Sequence, residues 1–138
     1  MKRSLLLFAL ASTTALASPF DPAGELAQRS GLPASEVRAM LSNCDAAQVD
    51  MNFCAWRDQL VAEHALQSAV DAKAGVSTSC RSALAKRIDV WKHKRDAGCR
   101  RSAEKEWGGG SMLPAAVAMC ATKATQRMTN AIRSAACG

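Results

Sequence analysis

The sequence contains no tyrosine and few other aromatic residues, with three tryptophans and three phenylalanines among 138 residues. A core built from this composition must depend on Leu, Val, Ala and Met, since aromatic rings usually supply much of the buried apolar area. The chain also lacks Gly-x-Ser-x-Gly, a glycine-rich phosphate loop followed by lysine, and a cysteine with an evident histidine partner. These absences argue against an enzyme of any recognisable type.

Close pairs of metal-binding residues are also missing. The six cysteines are spaced ten or more residues apart, whereas structural zinc sites use pairs such as Cys-x-x-Cys. His64 and His93 each stand alone on a polar helix face. The sequence therefore predicts no metal ion and no other cofactor.

The N-terminal segment has the three parts of a secretory signal peptide. Lys2 and Arg3 provide positive charge, residues 5–11 form an apolar run too short to span a bilayer, and residues 15–17 are Ala-Leu-Ala, a small-x-small cleavage site. The alternative is a buried first helix. Cleavage after residue 17 would leave a single domain, residues 18–138, in the periplasm or outside the cell.

All the cysteines follow the predicted cleavage site. An even number of cysteines in a small exported domain is typical of a disulfide framework; the alternative is that some are free buried thiols. The cysteines are Cys44, Cys54, Cys80, Cys99, Cys120 and Cys137.

Helical periodicity and the placement of glycine and proline predict an all-α fold, a small antiparallel bundle of one short and three longer helices stapled by disulfides. Three prolines indicate an irregular lead-in over residues 18–34. Glycines at position 75 and at positions 108–110 should end two of the long helices. The predicted helices span residues 35–42, 47–74, 78–106 and 114–136.

Antiparallel neighbours suggest which cysteines could pair. Cys80 and Cys137 lie at similar distances from the turn near residue 109, and Cys54 and Cys99 at similar distances from the turn near residue 76. The resulting arrangement joins Cys80 to Cys137, Cys54 to Cys99 and Cys44 to Cys120. The rival arrangement joins Cys99 to Cys120 and Cys44 to Cys54.

Charge is unevenly distributed along the chain. Residues 18–80 hold four basic and eight acidic side chains, whereas residues 81–105 hold nine basic and three acidic ones. The two segments could neutralise each other across packed helices, or the basic segment could face an acidic partner or membrane headgroups. Nucleic acid is not an expected partner, because stacking aromatics and a known reading motif are missing.

Trp107 is a candidate partner-binding residue. It ends a predicted helix next to Gly109, Gly110 and Ser111, where it could be an exposed anchor for a partner. The alternative is that it folds back over the end of the bundle.

Arg95 is a candidate for a structural ion pair. It lies on the apolar stripe of its helix, between Trp91 and Cys99, and a buried arginine requires an acid. Asp58 lies at a similar height on the preceding helix, so we expect Arg95 to pair with Asp58.

Trp91, Arg95, Asp96 and Cys99 form the pattern Trp-x-x-x-Arg-Asp-x-x-Cys. This pattern and several other blocks of the sequence resemble one family, the LprI-like lysozyme-inhibitor domain. Val70 stands where the family usually has tyrosine. The other matching positions are Cys44, Gln48, Met51, Asn52, Cys54, Ala55, Ala62, Leu66, Gly109, Gly110, Ser111, Met112, Cys120 and Thr125. Glu63 and Gln67 stand where the family has aspartate and asparagine, each one methylene shorter.

The resemblance implies a small helical module of the cell envelope whose partner is a protein, a lysozyme-type muramidase. It also implies that Cys80 and Cys137 are additions to the usual cysteines, which agrees with pairing them. The alternative functions are an immunity or adaptor protein for another envelope partner, and association of the basic face with anionic lipid or a wall polymer. Since common lysozymes are basic, inhibition should need an acidic surface. The candidates for it are Asp45, Asp50, Asp58 and Glu63.

Overall fold

The computed structural model describes residues 19–137, and this part of the chain is an all-α bundle, as predicted. No strand occurs in that range, and none of its helices combines the length and the hydropathy needed to cross a bilayer. The predicted signal peptide, residues 1–17, lies outside the described residues. The helices are α1 (Pro22–Ser30), α2 (Ala34–Ser42), α3 (Gln48–Ala74), α4 (Thr78–Trp107) and α5 (Leu113–Ser134).

The predicted irregular lead-in, residues 18–34, is wrong, because α1 occupies most of it. The side chain of Asp21 accepts a hydrogen bond from the backbone N–H of Ala23 (3.1 Å) and so caps the helix. Pro22 follows in the first turn, where its missing N–H costs no hydrogen bond. Gly31, at φ +74°, ends the helix. The bundle therefore has two short and three longer helices.

Helix α3 is the centre of the molecule because it carries apolar residues on two faces. Phe53, Trp56 and Leu60 pack against α1 and α2. The other face, including Ala55 and Leu66, packs against α4 and α5. The short helices thus extend the core sideways rather than lengthening the bundle.

His64 is not isolated, in contrast to the sequence expectation. Its ring stacks on that of Phe20, with ring centroids 4.2 Å apart and planes inclined by 7°. Phe20 immediately precedes the cap of α1, so this stacking helps hold the start of α1 against α3.

Helices α3 and α5 run parallel, and α4 is antiparallel to both. The buried face of α5 carries mainly alanine and threonine, and such small side chains allow two helix axes to approach closely. At one end the side chain of Asn52 donates to the carbonyl oxygen of Ser111 (3.3 Å), and at the other the Lys73 ammonium donates to the carbonyl oxygen of Arg133 (2.9 Å). These two bonds fix the register of α3 against α5.

Three disulfides close the fold, joining Cys80 to Cys137, Cys99 to Cys120 and Cys44 to Cys54, with Cα atoms 5.6–5.8 Å apart. The first pair is the one expected from helix geometry.

The predicted pairs Cys54–Cys99 and Cys44–Cys120 are wrong. Matching heights about the α3–α4 turn does not make two side chains face each other, and Cys99 faces α5 rather than α3. Helix α2 folds back on α3, which brings Cys44 to Cys54.

Candidate functional site

Arg95 is the most deeply buried charged residue in the described part of the chain, with a side chain that is 3 % exposed. It projects from α4 into the space between three helices. Its guanidinium lies 2.7 Å from Glu63 Oε1 on α3 and donates to Thr125 Oγ1 on α5 (2.8 Å). Its Nε donates to Asp96 Oδ1 on its own helix (2.7 Å). One side chain therefore ties α3, α4 and α5 together.

The predicted partner of Arg95, Asp58, is wrong. Asp58 pairs with the neighbouring Arg57 (2.8 Å), and its side chain is 56 % exposed. Five residues separate Asp58 from Glu63, which places them about 140° apart around a helix with 3.6 residues per turn. Glu63 points toward α4, whereas Asp58 points to solvent.

The hydrogen-bonding capacity around Arg95 is fully used. The Thr125 hydroxyl accepts from Arg95 and donates to the carbonyl oxygen of Ala121 (2.7 Å). Arg95 Cζ also lies 5.2 Å from the centroid of the Trp91 ring, within the range of a cation–π contact. Among residues 19–137, no buried side-chain nitrogen or oxygen lacks a partner. The network therefore positions the three helices.

The residues of this network are those that carry the family resemblance in the middle of the chain: Glu63, Trp91, Arg95, Asp96 and Thr125. The nearby Cys99–Cys120 disulfide joins two of these three helices, α4 and α5. The motif is thus explained by folding.

The turn between α4 and α5, residues 107–112, is exposed except at the half-buried Met112. Trp107 is the last residue of α4 and is 45 % exposed. Gly108, at φ +62°, ends α4 and donates its N–H to the carbonyl oxygen of Glu104 (2.9 Å). The N–H of Leu113 bonds to the carbonyl oxygen of Gly110 (3.0 Å). Backbone hydrogen bonds at its two ends therefore fix the conformation of the turn.

The structure brings the candidate partner-binding residues, Trp107, Gly109, Gly110 and Ser111, together in this one exposed turn. The hydrogen bond from Asn52 to Ser111 attaches the turn to the start of α3.

Two grooves flank the first half of α5. One, of about 390 Å³, is lined by Trp107, Met112, Met119, Lys123 and Arg127, among others. The other, of about 450 Å³, is more apolar and is lined in part by Phe53, Trp56, Leu113, Pro114 and Val117. Residues 113–119 form the ridge between them.

Sequence reasoning did not single out Met119, Lys123 or Arg127 as candidate site residues. Their signal in the sequence is weak, since each lies on the side of α5 opposite its buried stripe. Met119 is 49 % exposed, unusually open for a large apolar side chain on a core helix. Only the position of Trp107 beside them makes them part of a groove.

Two of the three charged side chains that line the groove beside Trp107 are basic. Of the four acids proposed for an acidic surface, Glu63 pairs with Arg95 and Asp58 with Arg57. Lys123 and Arg127 are exposed and line the groove beside Trp107, with Glu106 at its edge. Within residues 19–137, no three His, Cys, Asp or Glu side chains are grouped so that they could hold a metal ion.

Comparison with known proteins places these features in a family. A model of the lysozyme inhibitor LprI family matches residues 42–132. That range includes the Arg95 network, the α4–α5 turn and two of the disulfides, whereas Cys137 lies beyond it. No curated protein and no solved structure matches the chain. Since the match covers most of the sequence, the chain belongs to the LprI lysozyme inhibitor family.

Proposed function

We propose that this protein is exported and acts as an inhibitor that binds a lysozyme-type muramidase. The observation that carries the proposal is the family match over residues 42–132. The three disulfides support export, because structural disulfides are typical of oxidising compartments such as the periplasm. The periplasm or the cell exterior is also where a muramidase would be met.

The surface best suited to the muramidase is the α4–α5 turn with the groove beside it. Trp107 offers a large, partly exposed ring of the kind that dominates binding energy in protein interfaces. The turn is held by its own backbone hydrogen bonds and by Asn52, so binding should order few groups. A prearranged anchor of this type suits insertion into an enzyme cleft.

The two basic side chains in the groove, unlike Glu106, are complementary in charge to a muramidase active site at short range. Such enzymes use a pair of carboxyl groups flanking the scissile bond. Lys123 and Arg127 lie beside Trp107 and could face those carboxyl groups. Because most common lysozymes are basic, as this chain is, long-range steering should not assist association. We therefore expect association rate constants of about 10⁵–10⁶ M⁻¹s⁻¹, the range without electrostatic steering.

The test is inhibition of purified muramidases of several structural types by the oxidised protein. We expect micromolar protein to inhibit at least one type. Trp107→Ala should weaken inhibition at least tenfold, and Lys123→Gln with Arg127→Gln should do the same. The matched control is Arg29→Gln with Arg133→Gln, which removes the same charge far from the turn.

Absence of inhibition toward every muramidase type would contradict the proposal. Capture of another envelope protein that depends on Trp107 would then support the adaptor or immunity alternative. Equal losses in the basic double variant and its control would show that net charge, rather than the groove, governs binding.

A further inference from the structure

The outer side of α4 carries a regular array of basic side chains. Basic doublets recur every seven residues, at positions 86–87, 93–94 and 100–101. All six side chains are exposed. Seven residues are close to two helical turns, so successive doublets lie on the same side of α4 and about 10.5 Å apart.

One row of this array is unpaired within the described structure. Arg87, Lys94 and Arg101, here called the basic row, form no salt bridge with any other residue between positions 19 and 137. Two of the other doublet residues have an acidic neighbour. Arg100 pairs with Glu104 (3.4 Å), and His93 lies 3.9 Å from Asp89.

Packing does not explain the basic row. Helix α4 contributes other residues, including Leu84, Ile88 and Cys99, to the core and to its disulfide. Like charges repeated along one face repel each other and so disfavour the compact state. The row therefore stabilises neither α4 nor the bundle, which points to a partner of opposite charge.

We propose that the basic row binds a linear acidic polysaccharide. The repeat of about 10.5 Å along the helix axis is close to the length of one disaccharide in an extended polysaccharide chain. Arginine presents a planar fork of donors that suits sulfate, phosphate and carboxylate groups. The helix therefore matches a polymer that carries one acidic group per disaccharide.

A membrane surface fits the basic row less well. A helix that lies in a lipid interface buries an apolar face among the acyl chains. The apolar face of α4 is already buried in the core, and the positions between the basic residues are held by Val90, which is 48 % exposed, and the small Ala97. One valine and one alanine form too small an apolar surface to anchor a helix among acyl chains.

This inference does not depend on muramidase inhibition. The basic row runs along the middle of α4, whereas the surface proposed for the muramidase lies at the α4–α5 turn. Binding of the polymer would hold the exported protein at an envelope surface and leave the turn accessible.

The test is calorimetric titration of the oxidised protein with hyaluronan oligosaccharides of increasing length, which carry one carboxylate per disaccharide, with neutral dextran as the negative probe. The row spans about 21 Å along the helix axis, so affinity should rise from the disaccharide to the hexasaccharide and then level off. Arg87→Gln/Lys94→Gln/Arg101→Gln should weaken hexasaccharide binding at least tenfold. Binding should also weaken steeply as salt is added.

The control is Arg29→Gln/Arg38→Gln/Arg133→Gln, which lowers net charge equally on α1, α2 and α5. We expect it to change affinity less than twofold. Equal losses in the two triple variants, or binding that does not depend on oligosaccharide length, would overturn the proposal. Tighter binding to phosphatidylglycerol vesicles than to hyaluronan at equal anionic charge would overturn it in favour of a membrane surface.

Discussion

Glu63 on α3 lies 2.7 Å from the guanidinium of Arg95 on α4, at the level where α5 also contacts the arginine through Thr125. The resembling family has aspartate, one methylene shorter, at the position of Glu63. At this pair, polar side chains from all three long helices contact one another without a disulfide. Its removal should therefore affect stability far more than removal of a surface ion pair.

We expect Arg95→Ala to lower the free energy of unfolding by about 3–5 kcal/mol, because it leaves Glu63 without its partner in a mostly buried position. Arg57→Ala, which removes the exposed pair with Asp58, should cost less than about 1 kcal/mol. Urea denaturation measures both values. If Arg95→Ala cost no more than Arg57→Ala, the network would have no role in joining the helices.

Replacing both charges tests whether the ion pair itself contributes to the free energy of unfolding, or whether only an unpaired buried charge is costly. We expect Arg95→Met combined with Glu63→Leu to be less destabilising than Arg95→Ala, because no unpaired charge remains. The same denaturation experiment measures it. A double variant less stable than Arg95→Ala would show that the ion pair itself is strongly favourable.

The disulfides should differ in their contributions according to the chain they enclose. The sequence separations are 57 residues for Cys80–Cys137, 21 for Cys99–Cys120 and 10 for Cys44–Cys54. Loop-closure entropy then predicts losses of about 4, 3 and 3 kcal/mol when each pair is replaced by alanine. Urea denaturation of the three double variants would rank them. A smallest effect at Cys80–Cys137 would contradict the loop-length argument.

The long helices were predictable because their ends carry strong local signals. Gly75 and Gly108 both adopt positive φ and end α3 and α4 where the sequence suggests. Helix α1 is not predicted, because its proline is also typical of irregular chain. A proline just after Asp21 favours a helix start instead, and the cap residue Asp21 carries that signal.

Partners across helices were harder to predict than helix boundaries. Height along a helix follows from residue number, but the direction of a side chain depends on how each helix is rotated in the bundle. Cys54 and Asp58 both lie at suitable heights on α3, yet the partners in the structure are Cys44 and Arg57. The same limit applies to the groove beside Trp107, since it exists only once α4 and α5 are packed.

The glycines of the α4–α5 turn should respond differently to substitution. Gly108 adopts φ +62°, which is strained for any residue with a Cβ atom, so Gly108→Ala should cost about 1–3 kcal/mol. A Cβ at Gly109 would meet no atom within 4 Å, so Gly109→Ala should be neutral within about 0.5 kcal/mol. Thermal denaturation compares the two. Equal effects would contradict the turn geometry.

Stability should show a specific acid dependence from Asp21. A hydrogen bond from the backbone N–H of Gly24 lowers the pKa of Asp21, and the positive Arg38, 3.2 Å away, lowers it further. A depressed carboxyl pKa in the folded state stabilises the protein above the unfolded pKa of about 3.9 and ceases to do so as the pH falls through the folded value.

We therefore expect wild type to melt at a higher temperature than Asp21→Asn at pH 6, with the difference shrinking below about pH 4. A melting-temperature difference between wild type and Asp21→Asn that stayed constant from pH 6 to pH 3 would show that the Asp21 charge does not stabilise α1.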